Sequence, residues 1–206
     1  MSSSRPTPIA VLLSGRGSNF VALAEAIARG EVPARIALVV SNIEDAAGLA
    51  KARELGLPTA LVPHREHGAR EAHEARVLEA LAAAGAEWIC LAGYMRLLSP
   101  SFVARFHQRI LNIHPSLLPA FPGLHPQRQA LTAGVRVSGC TVHLVDEGLD
   151  SGPIVVQRVV PVAEDDDEAS LAARILAEEH RAYPEALRRL LSEPWRIEGR
   201  RLRFGA

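Results

Sequence analysis

The chain has 206 residues, 48% of them hydrophobic, and 23 Lys+Arg balance 23 Asp+Glu. That balance excludes the one-sided basic field of a nucleic-acid binder, while the apolar content supports a sizeable core and the length suits one domain. No apolar run approaches the ~20 residues of a membrane span, and Met1–Pro8 lacks the charged and apolar regions of a signal peptide, so a cytoplasmic protein is expected.

Residues 1–8 are expected to form a flexible N-terminus. Ile9–Leu13 predicts a first strand, followed by Ser14-Gly15-Arg16-Gly17-Ser18-Asn19 and a helix over Phe20–Arg29 that stops at Gly30. Gly15 and Gly17 let the backbone approach a ligand, Ser18 and Asn19 can cap the helix, and its N-terminal N–H groups make an anion site. Phe20 stands where a dinucleotide fingerprint needs its third Gly, and no Lys follows as in a Walker loop. A phosphate monoester fits better, although a tight turn before a capped helix would read the same way.

Arg35–Ser41 is the second predicted strand, with a helix from Asp45 to about Gly56, and Thr59–Val62 is the third. His64, His67 and His73 match no metal-ligand spacing and read as solvated surface. A helix from about Ala69 stops at Gly85, and Trp88–Ala92 is the fourth strand. Gly93-Tyr94-Met95-Arg96-Leu97-Leu98 then follows a strand end, where parallel sheets bind ligands. Arg96 could meet a carboxylate and Met95, Leu97 and Leu98 could supply an apolar wall; a core segment with one snorkelling Arg is the plainer reading. Ser99-Pro100 predicts an N-cap and first residue of a helix to Phe106.

Arg109–Ile113 is the next predicted strand; it runs into Leu111-Asn112-Ile113-His114-Pro115, where Pro115 stops it. Residues two apart in a strand share a face, so an amide and an imidazole lie side by side. A fixed donor beside a titratable ring suits acyl-type transfer, where one group holds an oxyanion and the other moves a proton. Gln127–Ala133 predicts a short helix. Ser138–Val145 and Pro153–Val162 are strands whose linking loop, Asp146–Gly152, is too short for a crossover helix, so they should be antiparallel. Asp150 in that loop would hold His114 in its charged form if the fold brought them together; otherwise it serves its own turn. His125 and His143 lie near this proposed site, and His107 reads as exposed. The acids Glu164–Glu168 cap a helix over Ala169–Leu191, in which Glu179-His180 reads as a surface pair. Trp195–Phe204 adds a final strand or turn. Cys90 and Cys140, in apolar runs and outside any C-x-x-C pair, read as buried thiols of a reducing compartment. Strand–helix alternation followed by paired strands predicts an α/β fold: a Rossmann-like three-layer domain, its sheet mainly parallel with antiparallel strands in the C-terminal half.

The stretches S-G-R-G-S-N, A-G-Y-M-R-L-L-S-P, L-N-I-H-P-S-L-L-P, F-P-G-L-H and V-H-L-V-D-E-G-L-D-S-G-P-I, in this order, resemble the phosphoribosylglycinamide formyltransferase family of purine synthesis from Ile9 to about Leu191. The resemblance implies a single formyltransferase domain over 1–206. It implies that Gly17, Ser18 and Asn19 hold the phosphate of glycinamide ribonucleotide, with Glu179 meeting the same substrate. Arg70, Met95, Arg96, Leu97, Leu98 and Asn112 would line the site of 10-formyltetrahydrofolate, a co-substrate. His114 would be the proton donor, Asn112 its neighbour and Asp150 the carboxylate that tunes it. No metal, nucleic acid or membrane is implied, and the protein would be a monomer or homodimer. Two departures stand out: Pro126-Gln127 replaces a common Thr-His, and Tyr94 stands where Phe is common. The alternatives are a formyltetrahydrofolate deformylase-like hydrolase, whose relatives carry an added N-terminal domain, and a non-catalytic nucleotide-binding module. Methionyl-tRNA formyltransferase, a further relative, carries an added C-terminal tRNA-binding domain and a basic surface.

Overall fold

The structure, a computed structural model, describes residues 5–66 and 68–205. In chain order its elements are β1 (Thr7–Leu13), α1 (Ser18–Ala28), β2 (Ala34–Ser41), α2 (Ala47–Glu54), β3 (Thr59–Leu61), a 3₁₀ turn (His64–Glu66), α3 (Arg70–Ala83) and β4 (Trp88–Leu91). They continue with α4 (Pro100–Arg105), β5 (Ile110–His114), α5 (Pro126–Ala133), β6 (Val137–Leu144), β7 (Ile154–Pro161), α6 (Glu168–Ser192), β8 (Trp195–Glu198) and β9 (Arg201–Phe204). Thr7 and Pro8 are not part of a loose terminus. They begin β1, where the Thr7 N–H donates to the Pro33 carbonyl and the Pro8 carbonyl accepts from Glu87.

One nine-stranded sheet runs β3-β2-β1-β4-β5-β6-β7-β9-β8. The strands from β3 to β5 are parallel, and β6 is antiparallel to both β5 and β7, as the short Asp146–Gly152 loop requires. Alternation along β1 sorts its side chains between two cores. Ile9, Val11 and Leu13 face one that includes Phe20 and Leu23 of α1, Leu49 of α2 and Leu171, Ile175 and Leu187 of α6. Ala10 and Leu12 face the other, with Val77 and Leu81 of α3 and Phe102 and Val103 of α4. The sheet is therefore the middle of three layers, and Ile9–Leu13 of β1 and Trp88–Leu91 of β4 are apolar throughout because both faces are covered.

Helix ends follow local chemistry. Ser99 accepts from the Phe102 N–H at 3.2 Å with Pro100 at the first helical position, and Asp167 forms a capping box with Ser170 at the head of α6. The Tyr183 hydroxyl of α6 lies 2.8 Å from the Leu91 carbonyl and 3.0 Å from that of Leu111, tying the helix to the last residue of β4 and to β5. Among the described residues no helix is long and apolar enough to cross a membrane.

Candidate functional site

Strand order reverses at β1, since the chain runs outward to β2 and β3 and then returns to β4 on the other side. The carboxyl ends of β1 and β4 therefore flank the crevice where open α/β sheets bind ligands. The loop after each strand meets the other there. The Ser14 N–H donates to the Gly93 carbonyl at 3.1 Å, and the Met95 N–H donates to Ser14 Oγ at 2.8 Å. Ser14 Oγ in turn donates to Asn42 Oδ1 at 2.6 Å.

The loop after β1 leads into α1 through Gly17, in the left-handed region at φ 73°, with no side-chain cap. Ser18 and Asn19 are not caps; both lie inside the first turn of α1. The capping expectation fails because Asn19 is drawn elsewhere, donating through Nδ2 to Glu179 Oε2 at 2.8 Å. The first N–H groups of α1 are thus free of a side-chain cap and open to an anion. Gly17 is needed for packing as well as for access: a Cβ there would sit 2.7 Å from the Gly48 Cα of α2, whereas a Cβ on Gly15 meets nothing within 4 Å. Glu179 is buried, correcting its reading as surface, and burial raises its carboxyl above the ordinary value against the pull of Asn19. Among the described residues Asn19 Oδ1 is buried without a hydrogen-bond partner. A carboxylate and an orphaned amide oxygen beside backbone donors can bind a phosphate whose sugar offers hydroxyls or an amine.

The second cluster gathers on β5 and β6, where Asn112 pairs with His143 and His114 with Thr141. His143 Nδ1 lies 3.0 Å from the Leu144 carbonyl, which only accepts, so the proton sits on Nδ1. Nε2 is then the acceptor for Asn112 Nδ2 at 3.1 Å. This fixes the amide's orientation and leaves its second N–H to donate. Burial pushes His143 below its ordinary value, Asp150 pulling the other way, which keeps the ring neutral for that acceptor role. His114 Nε2 lies 2.9 Å from the Phe121 carbonyl. Its Nδ1 lies 3.5 Å from Asp150 Oδ2, both side chains being nearly buried. Both ring nitrogens face oxygen acceptors, an arrangement that a doubly protonated ring completes.

Asp150 is not serving its own turn. Its Oδ2 accepts from the Gly123 N–H at 2.8 Å, and its backbone is held at φ 49°. Asp146 takes the turn role instead, accepting from the Gly148 N–H and Ser151 Oγ. The two clusters are linked through β6: Glu179 lies close enough to Cys140 to help burial push that thiol up to about 12, and Cys140 precedes Thr141.

The structure thus unites Asn112, His114 and Asp150, and separately Gly17, Ser18, Asn19 and Glu179. Met95 and Leu97 are 65% and 64% exposed beside the Ser14 loop, and Tyr94 is buried beneath them. Arg70 opens α3 exposed to solvent, 3.7 Å from Glu71; among the described residues no hydrogen bond or ion pair joins it to 95–98. His125 turns outward, 4.0 Å from Glu168 and 63% exposed. His73 is buried with Nε2 on the Val62 carbonyl at 2.9 Å, against the surface reading, and His67 lies outside the described residues. Sequence reasoning gave no role to Ser14, Glu74 or the Phe121 carbonyl. Only Ser14 carried a signal, as the first polar residue after an apolar strand. A cavity of about 490 Å³ lies between α4 and the segment Leu144–Gly148, on the loop that delivers Asp150.

The formyl transferase family matches residues 7–187. The chain is 42% identical over 176 residues to the phosphoribosylglycinamide formyltransferase of Escherichia coli, covering 85% of this chain and 83% of that one. It is 49% identical over 195 residues to the trifunctional purine biosynthetic protein adenosine-3 of Drosophila melanogaster, covering 93% of this chain but only 14% of that protein's length. The crystal structure of glycinamide ribonucleotide transformylase 1 from Symbiobacterium toebii superposes with a TM-score of 0.95 at 49% identity, over 98% of this chain and 95% of that one.

Proposed function

The chain belongs to the formyl transferase family, and on that premise we propose that it moves the formyl group of 10-formyltetrahydrofolate to the amino group of glycinamide ribonucleotide. The observation that carries this reading is the convergence of an oriented amide, a histidine between two acceptors and a carboxylate at the end of β5. A non-catalytic nucleotide-binding module would need the loop after β1 but not this cluster. The relatives at 42–49% identity are named as formyltransferases or as a purine biosynthetic protein, which favours transfer over hydrolysis.

In this reading the whole chain works as one domain. Gly17, Ser18 and Asn19 receive the phosphate at the head of α1, and Glu179 with Asn19 Oδ1 accepts from the sugar or glycinamide part. Met95, Arg96, Leu97, Leu98 and Arg70 provide the folate side, where Met95 and Leu97 offer exposed apolar side chains. The substrate amine attacks the formyl carbon, forming a C–N bond and a tetrahedral intermediate. The free N–H of Asn112 and the protonated His114 face its oxygen. His114 Nδ1, whose 3.5 Å contact with Asp150 is loose, is the nitrogen placed to exchange a proton. The bond to N10 then breaks as N10 gains a proton and the new amide nitrogen loses one.

Turnover of purified variants tests the assignment. His114→Ala and Asn112→Ala should each lower kcat by ~10²–10³ with folding intact, the scale of losing a proton donor or an oxyanion donor. Near-wild-type kcat in either variant would remove that residue from the mechanism.

A further inference from the structure

Glu74 is an ionisable side chain that the mechanism does not use, yet it is only 5% exposed. It lies one helical turn after Arg70 on α3, and its carboxylate is directed at the end of the loop after β4. Oε1 accepts the Ser99 N–H at 2.7 Å, and Oε2 accepts the Ser99 hydroxyl. That same hydroxyl caps α4 through the Phe102 N–H. Burying a carboxylate is costly unless its lone pairs are satisfied. The position would be cheaper to fill with an apolar residue if packing were its only task.

The other end of the segment 93–99 is held by Ser14, through the Gly93 carbonyl and the Met95 N–H. Tyr94 packs inward at 9% exposure, while Met95 and Leu97 stand 65% and 64% exposed. Exposed apolar side chains on an anchored backbone form a surface awaiting an apolar ligand, and holding it in the bound shape lowers the ordering cost of binding.

We propose that Glu74 is a positioning residue for the folate-side loop: through Ser99 it fixes the C-terminal end of 93–99 while Ser14 fixes the other. This rests on the reading that Met95–Leu98 receive the folate. Among the described residues no hydrogen bond or ion pair joins Glu74 to the loop after β1 or to the Asn112–His114 cluster, so it should act on one substrate only.

Glu74→Gln keeps the shape and one acceptor oxygen but can no longer accept both Ser99 donors. The test is calorimetric titration of wild type and variant with tetrahydrofolate and, separately, with glycinamide ribonucleotide, alongside kcat at saturation. Tetrahydrofolate should bind about tenfold more weakly to Glu74→Gln, as loss of one charge-assisted bond allows. Ribonucleotide affinity and kcat should stay within about twofold, because uniform binding of a single substrate is what is lost. Equal weakening of both ligands, or unchanged tetrahydrofolate affinity, would overturn the proposal. Should Glu74→Gln not fold, Ser99→Ala and Ser99→Thr decide on the same readouts. The alanine must show the split and the threonine must restore it; both variants behaving alike overturns the proposal. Wild type that binds no tetrahydrofolate would refute the folate reading and the proposal with it. Wild type that binds it while the variants show no split refutes the positioning role alone.

Discussion

Gly15 and Gly17 both belong to the loop after β1, and the structure separates what each contributes. An alanine at position 17 would carry a Cβ 2.7 Å from the Gly48 Cα, a main-chain atom that cannot swing aside as a flexible side chain could. It would also have to adopt φ 73°. The left-handed conformation and the overpacking together cost about 2–5 kcal/mol. For a chain of this length that lowers Tm by roughly 5–15 °C. Alanine at position 15 meets nothing within 4 Å and needs no unusual φ, so Tm should be unchanged or slightly higher through a less flexible unfolded chain. In the proposed reading, the open space beside Gly15 admits the incoming phosphate to the head of α1. Gly15→Ala should therefore weaken glycinamide ribonucleotide by about tenfold or more while leaving tetrahydrofolate binding intact. Differential scanning calorimetry gives the first pair of numbers and titration calorimetry the second. A Gly17→Ala protein as stable as wild type would refute the packing argument. A Gly15→Ala protein that binds the ribonucleotide normally would move the phosphate site elsewhere.

Asp150→Asn should retain the Gly123 contact but lose the charge facing His114, lowering kcat by about 10–10³ in steady-state assays. His143→Leu removes the acceptor that orients Asn112 and should lower kcat by about tenfold with little change in either KM. Because burial lowers the folded His143 below 6.5, the unfolded chain binds the proton first. Stability should therefore decline as pH falls below about 6.5 toward the folded value, and thermal melts of His143→Leu should show less of that decline. Burial raises Glu179 above its ordinary 4.5, so the folded chain holds the proton longer and this carboxyl costs stability as pH rises through its folded value. Glu179→Gln should melt higher than wild type at pH 8 and gain less at pH 4.5, while its KM for the ribonucleotide rises by about tenfold. A lower melting point at pH 8 would count against this.

The elements were legible because burial leaves a period in the sequence. Ile9, Val11 and Leu13 against Ala10 and Leu12 supply both faces of a central strand, and Gly30, Gly56 and Gly85 mark helix ends at positive φ. The antiparallel β6–β7 pair followed from loop length alone. The pairing of Asn112 and His114 was legible for the same reason, since two residues apart share a face. Illegible were contacts across large sequence separations. Asn112 with His143, Glu74 with Ser99 and Ser14 with Met95 depend on which strands become neighbours and in what register, and no local pattern encodes that. Asn19 reads locally as a cap because its partner Glu179 is 160 residues away. His73 reads as surface because its acceptor is a main-chain carbonyl of another segment.

In the proposed reaction the formyl group goes to an amine and not to water. The most direct measurement follows isotopically labelled formyl from 10-formyltetrahydrofolate with and without glycinamide ribonucleotide. One label should appear in the ribonucleotide for each tetrahydrofolate formed, with negligible release when the ribonucleotide is withheld. Labelled formate released at the same rate in either case would contradict it and identify a hydrolase.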